Sequence, residues 1–395
     1  MHRLKFLVVF ILFSGNLLAQ DSSVVSNSEE ITADLFQKKE WKKLIEFSES
    51  AIKQQTDFFY IRFRLGVAYY SLKQYRIALF HFEKAFSMNS DNESLREYLY
   101  YCYLFTEQYP LALKLSDSFS DETKKNTKTE NPPVISFVHT EYGLKFSSDQ
   151  SLYQPMNYFQ LGFGFRFGRE ITAYNAYSYV NQQVYDGKLS QQQYYLTLNI
   201  PVRNSWTLMP AIHFIDLNFT NSADGKTVNF TPVHLSFAAD KVTKDFKLGI
   251  GASFSNLKPG TQLQQQVEAA WYPLHNNSFS VNAGTILFTD TIYRLWPMPF
   301  AGVKYFFTPK FSASFNYLYA GIGNGYGVVN FSEMNGYLVS NSPDATHQKM
   351  SLMFDWNIYK NLGVYAVLLY ESKTEVTKKT DYDYRMALAG LKFIF

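Results

Sequence analysis

The chain has 395 residues, 46% of them hydrophobic, with 36 Phe, 30 Tyr, one Cys and a formal charge of +3. That charge falls by the two units of Arg3 and Lys5 if a leader is removed, so the basic footprint of a nucleic-acid binder is missing. The lone Cys102 excludes an internal disulfide, and beyond the first twenty residues no apolar run is long enough to cross a bilayer as a helix.

At the start, Arg3 and Lys5 precede the apolar run Phe6 to Phe13, and the segment closes at Leu18-Ala19-Gln20. This reads as a secretory signal peptide, residues 1–19, cut after Ala19; a retained anchor is the alternative. No Cys follows the apolar run closely, which argues against lipoprotein processing.

Residues 25–119 carry a helical period. Aligned on itself at 34 residues, the segment brings Trp41, Tyr75 and Tyr109 into register, then Leu44, Ala78 and Ala112, then Leu35, Tyr69 and Tyr103. The middle copy, Leu65-Gly66, Tyr69, Tyr75, Ala78, Phe82, Ala85, resembles the tetratricopeptide repeat, a helix-turn-helix unit of that length. The outer copies depart from it: Thr32 and Tyr100 stand where the middle copy has Gly66, and no copy has the closing Pro. The resemblance implies a concave face that docks a protein segment, formed by Tyr60, Phe63, Val67, Tyr70, Glu97, Tyr101 and Phe105. The alternative is that these side chains pack against the next repeat or the following domain. Residues 120–133, rich in Lys, Thr, Asp and Glu and ending Asn131-Pro132-Pro133, read as a linker from which the helices hang free of that domain.

From 134 to 395 the period changes to two. The run Tyr158 to Phe167 puts Phe159, Leu161, Phe163, Phe165 and Phe167 on one face and Tyr158, Gln160, Gly162, Gly164 and Arg166 on the other. Fourteen such strands, with short turns after even strands and longer connections after odd ones, predict an antiparallel transmembrane β-barrel in a bacterial outer membrane. Sixteen strands is the alternative if Tyr326 to Ser340 adds a pair, and twelve is a further one.

Phe246, Leu248, Ile250, Ala252 and Phe254 are assigned to lipid, with their partners Lys247, Gly249, Gly251 and Ser253 to the lumen. A Lys on the lipid face near the midplane costs about 2–4 kcal/mol, and a one-residue slip would reverse the whole set. The expected lumen lining is His139, Glu141, Arg166, His234, Lys247, Gln262, Gln264, Gln266, Glu268, Lys304 and Asp355. Both charge signs occur among many neutral hydrogen-bonding groups, which suits a neutral or weakly charged carbohydrate; a plugged lumen held by polar networks is the other reading. His139, His213 or His234 beside a Ser could be a hydrolase pair. No nucleophile elbow, paired-carboxylate motif or metal-spaced His cluster supports one, so neither an enzyme, a metal nor a cofactor is expected.

Signal peptide, repeats and barrel in this order resemble the outer-membrane components of exopolysaccharide export, and more closely the YaiO-like outer-membrane proteins. The resemblance implies a conduit for polysaccharide or another polar solute, with periplasmic repeats docking a protein partner. A non-conducting anchor that presents the repeats to an assembly or secretion complex is the alternative.

Overall fold

The computed structural model describes residues 22–168, 170–202, 205–258, 260–289, 295–320, 344–375 and 379–395. The signal-peptide segment and the 326–340 strand-pair alternative lie outside them. Three helix pairs come first among the described residues: α1 (Ser22–Gln37) with α2 (Trp41–Lys53), α3 (Phe59–Ser71) with α4 (Tyr75–Met88), and α5 (Glu93–Phe105) with α6 (Tyr109–Ser116). Trp41, Tyr75 and Tyr109 thus each begin the second helix of a pair. Two residues before each, Lys39, Lys73 and Glu107 turn the chain with φ of 55°, 61° and 64°. None is Gly or Asn, so each carries the left-handed cost of roughly 1–2 kcal/mol. It is offset because the next amide, of Glu40, Gln74 or Gln108, donates back to the carbonyl of Leu35, Tyr69 or Tyr103.

The polar contacts repeat as well. The Tyr69 hydroxyl donates to Glu49 at 2.5 Å, and 34 residues on the Tyr103 hydroxyl donates to Glu83 at 3.1 Å. Between α3 and α4 the fully buried Phe82 lies against Gly66, where a Cβ would meet its Cε1 at 2.5 Å. Gly at this position therefore sets how closely the two helices cross.

A buried polar triad braces the same pair of helices. Arg62 grips Asp57 with two bonds of 2.7 and 2.6 Å, and its Nη1 lies 3.0 Å from Nδ1 of His81. A guanidinium only donates, so Nδ1 must accept and the ring is neutral. Burial first, and the Arg62 charge second, hold the His81 pKa down at about 3. The folded value lies below the unfolded value of about 6.5, so this stability is complete above that pH and is lost by about 1.4 kcal/mol per pH unit as pH falls towards 3. Amide exchange in α3 and α4 of the full chain, corrected for intrinsic rate, should accelerate about tenfold per unit between pH 6 and 4 where it reports full opening of the pair. His81→Phe should flatten that slope; an unchanged slope would assign it to other groups.

The expected linker at 120–133 is not all extended: Asp121–Thr127 forms α7. The Ser120 hydroxyl accepts from the Thr123 amide, acids Asp121 and Glu122 fill the first turn, and Lys124 and Lys125 the last. Ser120 is in turn tied to Glu93 of α5, whose pKa sits at about 2; burial there works against the charge but is outweighed by bonds from Ser120, Thr123 and Arg96. A charged composition that reads as solvated linker is thereby ordered by helix capping.

Fourteen antiparallel strands follow: β1 (Ile135–Ser147), β2 (Tyr153–Phe167), β3 (Ile171–Val184), β4 (Gly187–Val202), β5 (Trp206–Asn221), β6 (Thr227–Phe230 continued by Val233–Val242), β7 (Phe246–Lys258), β8 (Gly260–Trp271), β9 (Phe279–Thr289), β10 (Leu295–Thr308), β11 (Phe311–Tyr319), β12 (Ala345–Asn357), β13 (Leu362–Thr374) and β14 (Asp381–Ile394). Each pairs with its neighbours, and β1 with β14 closes the barrel, so that His139 faces Gly162 on one side and Lys392 on the other. The two parts of β6 both pair with β5 and are separated at Thr231-Pro232, where proline has no amide to offer the ladder.

Alternation fixes the faces. Phe246, Leu248, Ile250 and Phe254 stand about half exposed on the outside, whereas Gly249, Ser253 and Ser255 between or beside them are buried. At the short-turn rim the outer face ends in Phe167, Trp271, Phe307, Trp356, Tyr359 and Phe395, all exposed. An apolar belt finished by aromatic residues is stable only against hydrocarbon, so this is a transmembrane barrel.

Candidate functional site

Inside the barrel, β3 to β8 enclose a polar chamber of about 120 Å³. Tyr174, Tyr195, Thr197, Asn199, Asp240 and Lys247 line it with Gln266 and Glu268. Lys247 and Asp240 pair at 2.6 Å across neighbouring strands, and the Gln266 amide donates to Glu268 at 2.9 Å. Lys247 thus stands as one cation against two acids, Asp240 and Glu268, and aromatic faces stand among amide and hydroxyl groups, a lining suited to an uncharged polyhydroxylated ligand. Beside it, His213 and His234 pack edge to face at 5.6 Å, and both ring nitrogens of the buried His234 have no hydrogen-bond partner among the described residues.

On the wall beyond Tyr174 six side chains close a ring. His139 Nε2 lies 2.5 Å from the Tyr174 hydroxyl, and Nδ1 lies 3.1 Å from that of Tyr365. Glu141 holds Tyr365 at 2.5 Å and Tyr158 at 2.6 Å, and Gln160 joins Tyr158 at 2.5 Å to Tyr174 at 3.0 Å. Each of the six contacts needs one proton. Within the ring the three phenols can bring one each and the Gln160 amide, with one end toward each neighbour, a fourth, which leaves two contacts for protons held by His139 and Glu141. Glu141→Gln keeps a donor and an acceptor in place and should alter barrel stability by less than about 1 kcal/mol, whereas Glu141→Leu takes from Tyr158 and Tyr365 the acceptor they share and should cost about 1–3 kcal/mol. Urea midpoints of the folded, heat-modifiable form check both; equal losses would dissolve the ring argument.

At the long-connection end the lining changes. Ile286, Phe288, Met298, Phe300, Leu318 and Ala320 make a buried apolar cluster on the inner face of β9 to β11, and Tyr158, Val180, Leu369, Met386 and Leu388 make another. Near that rim Lys145 and Glu371 form a buried pair at 2.7 Å, and Lys373 donates to Thr346 at 2.9 Å. Tyr153 and Tyr382 both donate to Asp344. The expected lining named only polar residues, and here the structure adds to it: both faces of β9, β10, β13 and β14 are apolar in part.

All the expected lining positions for which side chains are described face inward. His139 and Glu141 lie in the ring, Lys247, Gln266 and Glu268 in the chamber, and His234, Gln262 and Gln264 are buried nearby. Asp355 sits opposite Ser312. Arg166 donates to the Pro133 carbonyl at 2.8 Å, and Lys304 lies 3.8 Å from Glu107 of the helical domain.

That last contact belongs to a larger junction, because the helices do not hang free. Arg76, buried at the start of α4, lies 3.3 Å over the Tyr272 ring, and its amide donates to the His275 carbonyl at 2.9 Å. Ser205 donates to Glu83 at 2.9 Å, Lys244 stands 4.0 Å over Phe80, Asn276 donates to the Lys73 carbonyl, and Lys114 pairs with Glu170 at 3.0 Å. These contacts run along the short-turn rim from the β2–β3 turn to β10, so the helical domain lies across the barrel mouth. Burial pushes the Glu83 pKa up and the Arg76 pKa down, as expected for ionisable groups drawn into an interface.

Of the expected groove, Tyr60 and Phe105 are exposed, and Phe63, Tyr70, Glu97 and Tyr101 are half-buried. Val67 is not on a surface: it is 4% exposed in the core, because the middle helix α3 is packed on more than one side. Phe63 and Tyr70 both pack against Tyr98, and Tyr70 and Tyr101 both meet Phe105, giving one continuous aromatic strip.

No protein-family model matches the chain, and no curated protein sequence does. Solved structures do. A Pseudomonas putida toluene transporter, TodX, covers 67% of this chain and 93% of its own at 8% identity and a TM-score of 0.45. Omp33 of Acinetobacter baumannii covers 66% and 99% at 8% identity and 0.36, and a bacterial polysaccharide outer membrane secretin covers 66% and 99% at 8% and 0.41. Likenesses this distant say nothing of solute or mechanism. The class of the protein rests on its own walls: a closed fourteen-stranded barrel of the outer-membrane type, with a helical domain across its short-turn mouth.

Proposed function

We propose that this protein is an outer-membrane conduit for a polar solute, with polysaccharide or its oligosaccharide pieces the class that fits best. The observation that carries the reading is the chamber of Tyr174, Tyr195, Asn199, Gln266 and Glu268, aromatic and hydrogen-bonding at once, beside the helical floor. A sugar gains from aromatic faces and from fixed amide and carboxylate groups at once, and being uncharged it is not repelled by the second carboxylate. The short-turn end is then periplasmic, the helix pairs serve as tetratricopeptide-like repeats for a protein partner, and the residues act by binding and guiding rather than by catalysis. The small chamber volume favours the anchor as the second reading, in which the barrel holds the helices at the membrane and passes nothing. Swelling of proteoliposomes in isosmotic sugars of rising size separates the two: swelling that stops above a size limit supports the conduit, and none with any sugar supports the anchor.

A further inference from the structure

A second, larger cavity of about 900 Å³ lies outside the lumen, between α4 to α6 and the β4–β5 and β6–β7 turns. Its size is that of a ligand pocket, which typically spans roughly 300–1,000 Å³. Phe80, Phe86 and Leu111 give it an apolar wall, and Lys84, Lys241 and Lys244 give it a basic one. The two acids in its lining are engaged: Glu83 receives Ser205 and Tyr103, and Asp245 pairs with His275 at 3.0 Å. Among the described residues Lys84, Lys241 and Lys244 have no salt bridge; Lys241 lies over the Trp206 ring and Lys244 over that of Phe80. Lys241 has the outward parity of Leu235 and Phe237 on β6, so it marks where the cavity meets the lipid-facing rim, with Phe246 and Trp271 exposed close by. An apolar wall, an excess of cations over acids and continuity with the bilayer edge describe the surroundings of an anionic lipid whose acyl chain has left the leaflet.

We infer that this junction binds an anionic glycerophospholipid of the adjoining leaflet, headgroup against Lys84, Lys241 and Lys244 and an acyl chain against Phe80, Phe86 and Leu111. The inference rests on the barrel lying in a membrane and not on conduction, so a silent pore leaves it standing. The lipid would fill the gap between the helical domain and the barrel and help fix one to the other.

The full chain in proteoliposomes containing phosphatidylglycerol with a photoreactive acyl end tests it. Crosslinks are expected in α4 and α6, in addition to those on the outer barrel face. Lys84→Glu with Lys241→Glu and Lys244→Glu should lower the α4 and α6 crosslinks about tenfold and leave those on distant strands unchanged. The same probe on phosphatidylcholine should label the helices several-fold less. Crosslinks confined to the barrel in the wild-type protein would overturn the proposal, as would equal helix labelling by the two lipids or capture of a polypeptide there in place of lipid.

Discussion

Glu371→Ala should be the most destabilising single change in the barrel wall. Glu371 is 7% exposed, Lys145 6% and Lys373 2%, and Glu371 accepts from Lys145 at 2.7 Å. Removing the carboxylate leaves two buried ammonium groups without their common anion. Breaking a buried pair from one side costs about 3–5 kcal/mol, mostly as the desolvation of the charge left behind. The midpoint of urea unfolding of the inserted barrel should fall accordingly. Glu371→Leu combined with Lys145→Met and Lys373→Met removes the charges together and should recover most of the loss, since buried ion pairs replaced by apolar groups of similar volume are often neutral. A triple variant as unstable as Glu371→Ala would place the role of Glu371 in packing and not in charge.

Arg76→Ala should loosen the floor of the pore. The guanidinium lies flat over Tyr272 and reaches the Thr243 carbonyl at 3.3 Å, so a desolvated cation–π contact and a hydrogen bond are lost together, about 2 kcal/mol or more. Combined with Glu83→Ala, which frees Ser205, it should release the helical domain from the short-turn rim. Under the conduit reading the expected result is a several-fold rise in open-channel conductance with an unchanged heat-modifiable barrel band. Unchanged conductance would mean that the helices do not restrict the path.

Strands and helices were legible because each repeats a local rule many times. The 34-residue register of Trp41, Tyr75 and Tyr109 marks real helix starts, and the alternation around Phe159 or Phe246 assigns each side chain its face. What could not be read were contacts between residues far apart in sequence. Nothing in the polar run at 120–133 announces that Ser120, the cap of a helix there, would be tied to Glu93. Nothing near Arg76 or Glu83 announces Tyr272 or Ser205 across the junction. The Lys39, Lys73 and Glu107 turns were missed for a different reason: they repeat at 34, but none is the Gly or Asn that usually marks a left-handed turn. The apolar inner clusters were missed because Ile286, Phe288, Met298 and Phe300 share the parity of Asn282, Gly284, Gly302 and Lys304, and the polar members of each strand were taken to speak for the rest.

Single-channel recording from the full-length protein in planar bilayers, with a neutral oligosaccharide added to one side, tests the central claim most directly. The conduit reading predicts discrete current steps that the sugar blocks, with block weakened about tenfold by Glu268→Ala through loss of a half-buried charged hydrogen-bond partner. No current from the correctly inserted wild-type barrel, and none from the Arg76→Ala/Glu83→Ala variant either, would contradict it.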